Sequence, residues 1–262
     1  MQIGPASGRA VRKYLAIQID ELTASGALTG TPIDLAEQGV GALLNALAKD
    51  RRPLIRRIVA GCARYYRHPR GVELVIRLAA DTNVEVRVAA IESLGQLLGG
   101  RKACPPILCD RLQDRRVLVR IAAAEAIGQI GDRRVARFLR RSLEDRVPLV
   151  RSYAAAAIGH LGIKSDLRLL RRSAAKDTSP TALIGMLGAT YQLGHTLAAI
   201  DGLTRLLTNR DYRVRCGSAN TLSSFRMNST QSKRVRESLQ SRLAQESTVA
   251  AKEAIARALK RL

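Results

Sequence analysis

Tryptophan is absent from this chain of 262 residues, and aromatic residues make up only 3% of it. Base-stacking platforms for single-stranded nucleic acid are built from aromatic side chains, so that mode of binding has little to work with. Acidic residues are scarce as well: 22 Asp and Glu stand against 44 Lys and Arg, for a formal net charge of +22. Such a surplus is self-repulsive unless something anionic is nearby, whether nucleic acid, an acidic protein surface or an anionic membrane. Cysteine occurs four times, at Cys62, Cys104, Cys109 and Cys216. Only Cys104 and Cys109 are close, and the four residues between them are not the two-residue spacing of paired zinc ligands. Buried reduced thiols of a cytoplasmic protein are the expectation. Long hydrophobic runs are missing too. The N-terminus lacks the apolar core of a signal peptide. The one long uncharged stretch, Thr178 to Ile200, contains Pro180, Gln192, His195 and several glycines, so no membrane span is expected. Catalytic signatures are also lacking. His68, His160 and His195 are scattered with no HExxH spacing, and neither a Gly-x-Ser-x-Gly elbow nor a P-loop occurs. No catalytic residue, metal or cofactor is expected.

What the chain has in place of these is a repeat. The residues Asp50, Asp81, Asp114, Asp145, Asp177, Asn209 and Glu246 are separated by 31, 33, 31, 32, 32 and 37 positions. Six residues after each stand Arg56, Arg87, Arg120, Arg151, Leu183, Arg215 and Lys252, followed by small residues such as Ala122-Ala123-Ala124. Gly95, Gly128 and Gly159 each lie fourteen positions after their turn residue. A period of this length means stacked supersecondary units. Each unit reads as two helices. Val119, Ala122, Ala123, Ala126, Ile127 and Ile130 fall on one helical face, and Val135, Phe138, Leu139 and Leu143 give the preceding helix its apolar side. Pro53, Pro148 and Pro180, three residues past the turn, suit the first position of a helix. Asn83, Ser179, Asp211 and Thr248, just before that position, are good N-caps.

The pattern Asp-x-x-x-x-Val-Arg-x-x-Ala-Ala, closing on Leu/Ile-Gly-x-x-Gly, resembles the short HEAT-like repeats also found in phycobilisome lyases. The resemblance spans about residues 31–262 and is strongest in the second, third and fourth repeats. It implies an all-α fold, a right-handed α-solenoid of about seven helical hairpins. Residues 1–30 would form an N-terminal capping helix and linker, with Val11, Leu15, Ile19 and Leu22 on one side of a helix over 9–23, and residues 31–262 the solenoid. The resemblance further implies a structural ladder between neighbouring repeats, made by Asp50, Arg56, Asp81, Arg87, Asp114, Arg120, Asp145, Arg151 and Arg215. A carboxylate with a guanidinium in a partly buried turn is a strong pairing.

With the ladder set aside, most of the excess charge lies on first helices and turns; Gly131 to Lys176, ladder residues included, holds 12 basic and 4 acidic residues. Arg133, Arg134, Arg137, Arg140 and Arg141 on one first helix, and Lys164, Arg168, Arg171 and Arg172 on the next, form a candidate outer basic face. Cations early in a helix oppose its dipole, so helix stability alone would not choose them. The second helices line the concave side in HEAT-like arrays. Their outward positions hold Glu92, Gln96, Glu125, Gln129, His160 and Gln192, a polar and nearly neutral groove. A groove that cradles a duplex would be lined with Lys and Arg. A further stretch, Arg64-Tyr65-Tyr66-Arg67-His68, interleaves charge with aromatics; packing against the neighbouring repeat is its expected use. The expected function is a non-enzymatic scaffold or adaptor. It would bind an acidic protein partner through the basic outer face or edge and the polar groove. Nucleic-acid binding through phosphate contacts is the alternative. The resemblance implies one enzymatic alternative, a bilin lyase or chaperone-like factor. The oligomeric state is not specified by these features.

Overall fold

The structure is a computed structural model that describes residues 44–64, 69–100 and 103–262. The expected N-terminal capping helix and the tyrosines of the aromatic stretch lie outside the described residues. Among the described residues every regular element is helical and no strand occurs.

The chain divides into two compact units at Gly131. The first contains a helical segment at 44–47, then α1 (Pro53–Ala63), α2 (Pro69–Leu78), α3 (Val84–Leu98), α4 (Pro106–Arg111) and α5 (Val117–Ile130). The second contains α6 (Ala136–Ser142), α7 (Pro148–Leu161), α8 (Leu167–Lys176), α9 (Pro180–Gly194), α10 (Leu197–Leu206), α11 (Tyr212–Ser223), α12 (Ser229–Gln245) and α13 (Val249–Arg261). Short 3-10 turns at Arg133–Val135 and Lys164–Asp166 lead into α6 and α8. In each unit the second helices of successive hairpins pack side by side: α1, α3 and α5 in the first, α7, α9, α11 and α13 in the second. Each first helix covers its own second helix, as α2 covers α3 and α8 covers α9. This is the two-layered stack of an α-solenoid.

Local chemistry sets the helix boundaries. Pro53, Pro148 and Pro180 open α1, α7 and α9, where their missing N–H is no loss. Asn83 caps α3 by accepting from the amides of Glu85 and Val86, and Asp211 caps α11 by accepting from Arg213. At the far ends, Gly131 after α5 and Gly162 after α7 adopt φ of 79° and 65°, the left-handed turn that ends a helix at least strain in glycine. The apolar faces close into cores. Ile55, Leu74, Ile91, Leu108 and Ile127 are fully buried in the first unit. Tyr191, Leu203, Leu222, Leu239 and Ile255 belong to the core of the second.

Small residues bring the second helices close together. A Cβ placed on Gly95 would come within 3.0 Å of Ala126 Cα and 3.2 Å of Ala126 Cβ on α5, and would strike the Gln129 amide. Gly159 repeats the arrangement against Ala189 and Gln192 of α9.

Candidate functional site

The hairpin turns carry a recurring hydrogen-bond pattern. Each turn residue accepts, through its side chain, the amide two positions on: Asp81 from Asn83 at 2.8 Å, Asp114 from Arg116 at 2.9 Å, Asp145 from Val147 at 2.8 Å, and Asp177 from Ser179 at 2.9 Å. The arginine six positions on donates Nη1 to the turn residue's own carbonyl. Arg56, Arg87, Arg120, Arg151 and Arg215 do so to Asp50, Asp81, Asp114, Asp145 and Asn209 at 2.7–2.9 Å. In Arg56, Arg87, Arg151 and Arg215 the rest of the guanidinium reaches the carboxylate of the next turn. Arg56 binds Asp81 at 2.6 and 2.8 Å, Arg151 binds Asp177 at the same distances, and Arg87 lies 3.1 Å from Asp114. Arg215 grips Glu246 with two bonds of 2.7 Å. The Arg151 guanidinium holds Asp177 below the usual carboxylate range, and Arg215 does the same to Glu246 more strongly. Where the register departs from this pattern, it departs on both sides. Leu183 occupies the arginine position, and the acceptor of the following turn is the neutral Asn209.

The nine residues expected to form the basic outer face do not all remain available. Arg134 pairs with Asp132 at 2.9 Å. Arg140 makes a two-bond pair with Asp166, at 2.9 and 3.1 Å. Arg133 Nε donates to the carbonyl of Leu161 at 2.9 Å, at the C-terminal end of α7. These three already hold acceptors within the chain, while Arg133 and Arg134 remain exposed. Arg137, Arg141, Lys164, Arg168, Arg171 and Arg172 are exposed and have no ion-pair partner among the described residues; Arg137 lies 4.8 Å over the ring of Phe138. Arg146 and Lys176, which the helical-face reading left out, are in the same state. Both stand at the turn end of a hairpin, and the 12-to-4 charge count over this stretch already included them.

The six groove residues fall in the two units. Glu92, Gln96, Glu125 and Gln129 meet in the first unit around a cavity of about 130 Å³ between α3 and α5. Gln129 Nε2 donates to Glu125 Oε1 at 3.5 Å. Partial burial pushes the Glu92 carboxyl up, the neighbouring Glu125 carboxylate adds to this, and Arg64 opposes it. His160 and Gln192, both exposed, stand on α7 and α9 of the second unit. Among the described residues, no group of three or more His, Cys, Asp or Glu is placed to hold a metal ion. Burial pushes the Cys62 thiol up to about 12, which leaves it largely un-ionised near neutral pH. No described helix is long and apolar enough to cross a membrane.

Comparison with known proteins gives one family match. The sequence profile of HEAT repeats matches residues 40–108 and 105–185. No curated protein matches the chain. Among solved structures, the complex of CpcE and CpcF of phycocyanin lyase from Nostoc sp. PCC7120 is similar in fold, with 17% identity and a TM-score of 0.60 over 89% of this chain and 98% of that one. The archaeal HEAT-like repeats protein from Thermococcus onnurineus NA1 is also 17% identical, with a TM-score of 0.41 over 88% of this chain and 98% of that one.

Proposed function

The chain belongs to the HEAT-repeat family, and from that premise we propose that it is a non-enzymatic scaffold or adaptor whose basic surface on α6 and α8 docks an acidic protein. One observation carries this reading. In the stretch from Gly131 to Asp177, Asp132, Asp166 and Asp177 are each paired with an arginine of the same stretch. Eight exposed cations are left without an ion-pair partner: Arg137, Arg141, Arg146, Lys164, Arg168, Arg171, Arg172 and Lys176. Asp145 accepts the Val147 amide and Glu144 is the one further acid of the stretch, so most of the cationic surplus is available to an external anion. The groove between α3 and α5, with its carboxylates and amides, offers a second and chemically different contact surface to the same or another partner.

A protein partner fits the observations better than nucleic acid. The groove carries Glu92 and Glu125, which would repel a phosphate backbone. The test is affinity capture from source cells, with and without nuclease, by the native protein and by a variant carrying Arg137→Glu, Arg141→Glu and Arg168→Glu. An acidic protein retained after nuclease and lost with the variant is the expected result. Capture that disappears on nuclease treatment would shift the function to nucleic-acid binding. Capture indifferent to the three reversals would remove the basic surface from the function.

A further inference from the structure

Beside the basic surface, at the turn end of two consecutive hairpins in the second unit, lies an open cavity of about 530 Å³. That volume falls within the roughly 300–1,000 Å³ typical of ligand sites. Its floor is apolar: Leu143 at the end of the first hairpin's outer helix, Leu169 on α8 and Met186 on α9. Leu143 and Met186 are buried. Its rim is cationic, formed by Arg146, Arg172 and Lys176, all exposed and without an ion-pair partner among the described residues. The acids that also line it are largely engaged. Asp177 is held by Arg151 through two bonds, and Asp145 accepts the Val147 amide. Glu144 is the remaining acid, exposed at the mouth. The cavity therefore places apolar side chains beside three cations without an ion-pair partner among the described residues.

We infer that this cavity is an anchor pocket for an apolar side chain flanked by carboxylates on an acidic protein partner; the inference rests on the reading of the basic surface given above and names the partner's local chemistry. The charge selects the occupant. A second copy of this chain brings a net charge of +22 to a cationic rim and is disfavoured. A nucleic-acid backbone would satisfy the rim and leave the apolar floor unfilled. A segment such as Glu-Leu-Glu satisfies both, the carboxylates meeting Arg146, Arg172 and Lys176 while the central side chain enters the cavity.

Two synthetic acidic peptides of equal length and charge, one with a central Leu and one with Gly there, test this against the full chain. The native protein is expected to bind the Leu peptide roughly threefold to tenfold more tightly, the range for partial burial of such a side chain. Ser173→Phe, which places a ring in the cavity without changing charge, is expected to abolish that preference. Arg146→Ala with Lys176→Ala, two exposed positions, provides a second variant that should weaken both peptides and the Leu peptide more. The surface variant at Arg137, Arg141 and Arg168 should weaken both peptides equally and keep the preference. Equal binding of the two peptides to the native protein, or an unchanged preference in Ser173→Phe, overturns the pocket while leaving the basic surface standing. Indifference of both peptides to the surface variant overturns the surface reading. A duplex oligonucleotide that loses as much affinity as the Leu peptide on Ser173→Phe would also overturn the inference.

Discussion

Arg215 and Glu246 have side chains that are only 6% and 0% exposed, so neither charge can fall back on water if its partner is removed. Replacing Arg215 with Ala leaves a carboxylate buried beside Arg242 alone, and a loss of about 3–5 kcal/mol is expected in urea denaturation. Arg215→Leu together with Glu246→Gln removes both charges and should cost distinctly less than the single change. The chain already contains such a double absence at Leu183 and Asn209. The same pairs give a pH dependence with a definite sign. Asp177 and Glu246 are held below their unfolded values by Arg151 and Arg215. Their contribution is therefore complete above the unfolded-chain range of about 4, and is lost as pH falls from there through the depressed folded values. The urea midpoint should decline below about pH 4.5 in the native protein and decline less in the Leu–Gln double variant. Equal slopes would show that the pairs do not control acid unfolding.

At the scale of helices, the close approach of neighbouring second helices allows one substitution to have opposite signs at two sites. Gly95→Ala on α3 would press a methyl group to within 3.0 Å of the α5 backbone, and a loss of about 1–3 kcal/mol is expected. Gly61 on α1 has nothing within 4 Å of such a methyl, so Gly61→Ala should stabilise by about 0.5–1 kcal/mol through helix propensity. Thermal melts of the two variants check this; a shift of the same sign in both would contradict the packing. The repeat of these contacts was readable in the spacing, since glycine stands fourteen residues after Asp81, Asp114 and Asp145. Helix starts at Pro53, Pro148 and Pro180 were readable for the same reason, as proline's chemistry is local. The engagement of Arg133 and Arg140 was not read, because a charge pattern on one helix says nothing about an acceptor one hairpin away. A signal did exist for Arg140. Its partner Asp166 lies 26 residues on, the same separation as Arg151 from Asp177. Asp166 was missed because it sits in the short 3-10 turn before α8 and not at the main turn.

For the molecule as a whole, the net charge of +22 and the buried ladder respond differently to ionic strength. Surface repulsion is screened within about 8–10 Å at physiological salt, whereas buried pairs are screened much less. Raising salt from a dilute buffer to physiological strength should therefore raise the melting temperature and, at the same time, weaken binding to an acidic peptide. A melting temperature that falls with salt would mean that exposed ion pairs outweigh the repulsion. The fold class could be anticipated from periodicity, and the ladder arginines from the resemblance to HEAT-like repeats. The anchor cavity could not, because its floor and rim come from residues up to 43 positions apart that only the stacking of hairpins assembles.

The paired departure at Leu183 and Asn209 determines which hairpins could be deleted or exchanged. Excising residues between two like turns in the first part of the chain, such as Asp81 and Asp114, would set Arg56 against an aspartate again. Excising the hairpin between Asp177 and Asn209 would set Arg151 against an amide, and excising the one between Asn209 and Glu246 would set Leu183 against a lone carboxylate. The array is thus open to shortening by recombination near its beginning and closed to it near its end. Order as well as number is written into its hairpins.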